Sequence, residues 1–255
     1  MKLRSIIAKT IVILFWVGLW GAVSYYIAKP VLLPSPINVF MHIFELVQHV
    51  DFWQITGFTL VRISLGIFSA ILVGIVMAIF TTYSRFLNAL LSPFRTITKV
   101  TPVASFILLV LIWLDRNIVP AVISGLMVLP VVWNNVGAGL RSIDKSFLEM
   151  ASVYHLSLKT RIKRIILPSI TPYLLSAVQT SIGIGWKAGI AAEVLTVPAL
   201  SIGKMIADSK TYMETLDLFA WTVVVILISL VIEKIVVAAI NSIVVPNKSE
   251  VTVRG

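Results

Sequence analysis

The stretch at 147–172, FLEMASVYHLSLKTRIKRIILPSITP, decides how this chain is read. Phe147, Met150, Ala151, Tyr154 and Leu158 recur three or four positions apart, the spacing of one helical face. Ser146 and Glu149 fit a capping box, in which a hydroxyl and a carboxylate satisfy each other's backbone amides. A second capping candidate, Ser157, precedes the apolar face Ile162, Ile165 and Ile166, while Lys159, Arg161, Lys163 and Arg164 point mostly elsewhere. Pro168 has no amide hydrogen and its ring crowds the turn before it, so it should close the second helix. The pattern predicts two short helices meeting near His155 and Leu156, a bent basic element between two apolar runs.

Outward from that element the composition is lipid-like. Of 255 residues 58% are hydrophobic and 13% charged, against about a quarter charged in soluble domains. The expectation is one all-α integral membrane domain covering 1–255. Apolar stretches approaching the ~20 residues that cross a bilayer fall near 10–28, 56–81, 97–114, 118–136, 171–193 and 218–240, with the bent segment at 141–168 between the fourth and fifth. Pro102 and Pro130 should bend the third and fourth spans. The first stretch is long for a signal peptide and is read as an uncleaved span.

Lysine and arginine gather on the cytoplasmic side of membrane proteins. With the N-terminus inside, the inner segments hold Lys2, Arg4, Lys9, Arg85, Arg95, Lys99, Arg141, Lys145, Lys159, Arg161, Lys163, Arg164, Lys234, Lys248 and Arg254. The outer segments hold only Lys29, Arg116, Lys204 and Lys210. Both termini are therefore expected in the cytoplasm. The net charge of +10 is distributed between spans, which excludes nucleic acid as the expected partner. No cysteine is present, so disulfide and thiolate chemistry are excluded.

Beyond the first span, Ser35-Pro36 has the form of an N-cap followed by proline at the first helical position. Ile37, Phe40, Met41, Phe44 and Val47 then share a face, as in a helix lying flat on the outer surface or an ordinary re-entry helix packed on the bundle. For the bent segment three readings stand on pattern alone. It could bind anionic headgroups, each cation contributing ~1 kcal/mol; it could be cationic ballast; or it could dock a soluble partner. A capped, bent pair is more structure than ballast requires.

Glu149-Met150-Ala151, His155, Ile165 and Leu167-Pro168 resemble the EAA signature of ATP-binding-cassette importer permeases, in which Glu-Ala-Ala precedes a glycine and, further on, an aliphatic residue and Leu-Pro. The spacing matches, with Met150 in place of an alanine and His155 in place of the glycine. Glycine takes positive φ at a bend without cost; histidine enters that region less readily. The sequence is also similar to the branch that moves nitrate, sulfonates and taurine. The similar stretches are Leu33-Pro34-Ser35-Pro36, Thr59-Leu60-Val61-Arg62-Ile63-Ser64-Leu65-Gly66 and Trp186-Lys187-Ala188-Gly189-Ile190-Ala191-Ala192-Glu193-Val194. Leu114-Asp115-Arg116-Asn117 stands where that branch tends to have a glycine-containing turn.

The resemblance implies a type I importer-like permease of the bacterial plasma (inner) membrane, surrounded by lipid and multi-pass. Two copies, expected as a homodimer, would form the path. The coupling-helix pair would seat on a separate nucleotide-binding ATPase subunit through Phe147, Glu149, Met150, Ala151, Tyr154, His155, Leu156 and Leu158. An extracytoplasmic solute-binding protein would deliver the substrate, a small anionic solute such as a sulfonate or nitrate; a heterocyclic vitamin precursor is the alternative. ATP and Mg would belong to the ATPase subunit, leaving this chain with no cofactor, metal or catalytic residue. The sequence agrees in having no G-x-x-x-x-G-K-[ST] loop to cradle phosphates.

Two ridges of small residues recur every four positions: Gly66, Ala70, Gly74 and Ala78, then Ala177, Ser181, Gly185 and Gly189, with Glu193 next. Such ridges are either close-packing seams or walls of a path. Arg62 and Lys187 fall inside spans, where a charge costs ~2.5–3.5 kcal/mol on insertion scales. Either they form a cationic zone for an anion, or Arg62 pairs with Glu193 and Lys187 snorkels outward. The candidate path is thus Arg62, Ser181, Gly185, Lys187, Gly189 and Glu193. An intramembrane enzyme would need a constellation such as H-E-x-x-H or G-x-S-x-G, and the sequence has neither. An ion-gradient-driven secondary transporter would show midplane carboxylates, whereas Glu193 and Glu233 lie near span ends.

Overall fold

The computed structural model describes residues 2–244. Lys248 and Arg254 of the charge pattern lie outside the described residues. Among the described residues all regular structure is helical. The helices are α1 (Lys2–Ile27), α2 (Pro36–Gln48), α3 (Val50–Tyr83), α4 (Arg85–Val100), α5 (Val103–Leu111), α6 (Val119–Arg141), α7 (Lys145–Val153), α8 (Leu158–Arg161), a π-turn (Ile162–Ile166), α9 (Leu167–Thr196), α10 (Ile202–Thr211) and α11 (Thr215–Val244). Five stretches are long and apolar enough to cross a membrane: Thr10–Ile27, Val50–Tyr83, Val119–Arg141, Leu158–Thr196 and Thr215–Ala239.

The third expected span, 97–114, is not one rod. α4 and α5 are bent through 109° at Thr101 and Pro102, so they make a sixth span only as a broken one. A residue before proline is pushed out of the α region, and Thr101 has φ −74° and ψ 130°. The nine residues of α5 extend about 14 Å, too short to cross alone. Pro130, in contrast, stands inside α6 with no break in the helix.

Pro168 does not close a helix, contrary to its chemistry taken alone. α8 runs through the π-turn into α9, and the Leu167 N–H reaches back five residues to the Ile162 carbonyl. The wider turn absorbs the crowding of the proline ring. The bent segment is therefore one short helix, α7, followed by the extended foot of α9, rather than two short helices.

The chain divides into two compact units: the residues up to Thr59 with Glu193–Ile228, and Leu60–Ala192 with the described residues from Ser229 onward. In the first, the start of α11 is the organiser. Thr215 Oγ1 donates to the Val31 carbonyl at 2.6 Å, Asp217 pairs with His42 of α2, Phe219 stacks on Trp20 of α1, and Trp221 stacks on Phe52 of α3. α2 starts as its sequence predicts, with Ser35 Oγ accepting from the Asn38 N–H at 3.2 Å. Its residues Ile37, Phe40, Met41 and Phe44 stand exposed while Val39 is buried.

In the second unit α3 meets α6 at backbone contact. A Cβ on Gly66 would lie 2.0 Å from the Ala121 carbonyl oxygen. Further along, the buried indole of Trp133 donates to Thr81 Oγ1 at 2.7 Å, and the Arg95 guanidinium lies 5.3 Å from its ring centroid, within cation–π range. Asp115 makes its turn without glycine, its carboxylate accepting both the backbone and side-chain N–H of Asn117 at 2.8 Å.

Candidate functional site

α7 is capped two residues earlier than Ser146 and Glu149 suggest. The N-cap is Asp144, whose Oδ1 accepts the Ser146 N–H at 2.9 Å. A carboxylate is a stronger acceptor than a hydroxyl for the exposed amides of a first turn. Hydrogen bonds from Ser146, the backbone N–H first, hold the Asp144 carboxyl below the usual carboxylate range. Ser146 thus lies inside the helix, and Glu149 stands exposed on it without closing a capping box.

The other end of α7 carries the bend. Tyr154 is the C-cap and His155 follows with φ 46°. The Leu156 N–H bonds the Ala151 carbonyl at 2.9 Å and the His155 N–H bonds the Ser152 carbonyl at 3.1 Å. These are the two bonds of a Schellman motif, whose left-handed residue is usually glycine. Here a histidine occupies the left-handed position that glycine would favour. Ser157 then caps the next helix as predicted, accepting from the Thr160 N–H at 3.3 Å. Ala151 is fully buried under the bend, and Leu156 half-buried. Phe147, Met150, Val153, Tyr154 and Leu158 are exposed, an apolar surface that lies outside the membrane-length stretches except for Leu158 at the foot of one.

The six residues of the candidate path differ in their surroundings. Ser181, Gly185 and Gly189 are buried in a tight seam. A Cβ on Gly185 would meet Ile67 at 2.6 Å, and one on Gly189 would meet the Ser124 hydroxyl at 2.5 Å. Arg62 is half-buried and Lys187 is exposed, both in the second unit. Glu193 belongs to the first unit and is fully buried. Its Oε2 accepts from Thr59 Oγ1 at 3.0 Å and from the Gly203 N–H at 3.1 Å, while the Ile202 N–H donates to Thr59 Oγ1 at 3.0 Å. The carboxylate thus holds the N-terminus of α10, where it faces the positive end of the helix. The connection it secures contains Val197 and Leu200, both at positive φ.

The sequence pointed to Lys187 but not to the rest of the face that Lys187 shares, on the side of α9 opposite the seam. Ser176, Gln179, Thr180, Gly183, Lys187 and Ala191 share a face that the chain leaves exposed or, at Gly183, half-exposed. Their three- and four-residue spacing is present in the sequence, but the small residues that stand out there, Ala177, Ser181, Gly185 and Gly189, form the buried ridge on the far side.

An all-helical chain with several membrane-length helices and a capped, left-handed bend exposed between two of them has the architecture of a membrane permease. The chain belongs to the family described as binding-protein-dependent transport system inner membrane component, whose model matches residues 70–249. It is similar to a putative aliphatic sulfonates transport permease of Bacillus subtilis (strain 168), 23% identical over 87% of this chain and 79% of that one. A bicarbonate transport system permease of Synechococcus elongatus is 28% identical over 72% of this chain and 66% of its own length. A taurine transport system permease of Escherichia coli (strain K12) is 23% identical, with 84% and 80% covered. The fold is also that of a chain in the crystal structure of an amino acid ABC transporter with histidines, at TM-score 0.56 and 14% identity over 75% of this chain and 92% of that one.

Proposed function

We propose that this chain is the transmembrane subunit of an importer for a small anion, driven by a separate ATPase subunit that α7 docks. The reading rests on one observation. Phe147, Met150, Val153 and Tyr154 form an exposed apolar face on a helix outside the spans, held rigid by an N-cap and a Schellman bend. A partner that covered this face would pass its movement directly to α6 and α9, which flank it in sequence. ATP and Mg belong to that partner, and a solute-binding protein supplies substrate from the other side. The sulfonate, bicarbonate and taurine permeases among the relatives, with Lys187 exposed in a span, support an anionic solute over a neutral vitamin precursor. The protein acts as a pair of copies in a bacterial inner membrane, with both termini in the cytoplasm.

The test is assembly. Glu149→Ala combined with Tyr154→Ala is expected to reduce co-purification of the ATPase subunit roughly tenfold or more, the size expected when an aromatic anchor is removed from an interface. Undiminished assembly together with undiminished uptake would overturn the docking role.

A further inference from the structure

Along their middle stretches α3 and α11 expose mainly bulky apolar side chains. α3 exposes Val61, Leu65, Phe68, Leu72 and Val76, and α11 exposes Ile226, Leu227, Leu230 and Val231. α9 is different. Ser176, Gln179, Thr180, Gly183, Lys187 and Ala191 lie within about a third of the helix circumference and extend along ~22 Å of it, with Ile184 at their border the one bulky apolar side chain exposed nearby. Gln179 and Thr180 sit about 18–20 Å from the start of a helix of about 45 Å, so neither side chain can reach an interface by extending along the helix. Polar and charged groups at such depth face a bundle interior or a water-filled cavity, not hydrocarbon. A Cβ on Gly183 would meet nothing within 4 Å, so no packing contact demands a glycine there; its effect is to widen the space beside the face.

We infer that this face of α9 is the wall of an aqueous path and that Lys187 sets the path's preference for anions. Lys187 lies on the same face, one turn from Gly183 and two turns from Thr180. The inference rests on the permease reading above and identifies the solute class by charge: a small anion meets an unscreened cation there, and a cation is repelled. The buried ridge Ser181, Gly185 and Gly189 keeps its packing role and takes no part in the path.

The chain has no cysteine, which permits a direct test in its native membrane. Ser176→Cys, Thr180→Cys and Gly183→Cys are each treated with two impermeant methanethiosulfonates, one bearing a sulfonate and one a trimethylammonium group. Leu72→Cys on α3 is the lipid-facing control. The three α9 positions are expected to react and the control to stay unmodified. Relative to its rate with free cysteine, the anionic reagent should react roughly tenfold faster than the cationic one at Gly183→Cys, one turn from the charge, and about fourfold faster at Thr180→Cys, two turns away. Lys187→Gln should remove that preference and Lys187→Arg should keep it. If the α9 positions are as inert as Leu72→Cys, or if Lys187→Gln leaves the preference unchanged, the inference is overturned. Labelling needs no ATPase, so loss of the docking role would leave this result standing, and the converse also holds.

Discussion

At position 155 the chain places a histidine at φ 46°, a conformation that costs an ordinary L-residue ~1–2 kcal/mol. The Schellman bonds from His155 and Leu156 overcome that cost. His155→Gly should therefore leave the bend intact and stabilise it by about 1 kcal/mol or less, because the freer unfolded glycine offsets part of the gain. His155→Val, β-branched and worse at positive φ, should distort the bend and lower ATPase co-purification. The histidine variants thus separate bend geometry from side-chain contact: if His155→Gly abolished assembly, the imidazole itself would be the contact. The bend was legible because the signature's spacing marks the glycine position even where glycine is missing. The N-cap was not, since Asp144 and Ser146 are both good capping residues and only the fold shows which one starts the helix.

Packing between helices decided more at the scale of elements than propensity did. Gly66 and Gly183 are both glycines inside long helices, and helix propensity treats them alike. The first is wedged against the Ala121 backbone and the second faces open space. Gly66→Ala is expected to lower the melting temperature of the purified protein by several degrees, since a rigid backbone cannot yield to the new methyl. Gly183→Ala should leave it unchanged or slightly raised, as alanine favours helix by about 1 kcal/mol over glycine. Equal effects would contradict the seam. Spans one, two, four, five and six were readable from hydropathy because each needs only an apolar run. The break at Pro102 and the helix running through Pro168 were not, because one proline ends a helix and another is accommodated by a π-turn, and the difference lies in the turn preceding each.

On the scale of the whole molecule, the proposed topology counts the bent pair α4–α5 as a sixth crossing beside the five membrane-length stretches of the described residues, an even number that would place both ends of the chain on one side. Reporter fusions before α1 and after residue 244 should report the cytoplasm, and one inserted at Tyr212 or Met213, between α10 and α11, the opposite side. Opposite locations for the two ends would show that α4 and α5 do not cross. The candidate site was legible in part: the proposed docking arm carries a sequence signature, whereas the proposed wall of α9 is defined by what the rest of the chain leaves uncovered. The π-turn bears on both. It holds one residue more than an α-helical turn of the same path, so it fixes the angular phase between the bend below it and the wall above it. Deleting any one of Ile162–Ile166 would leave an ordinary α-helical turn along the same path and keep the handle aimed, whereas deleting a residue from the α-helix just above would swing α7 by about 100° about the α9 axis, leaving the blade untouched.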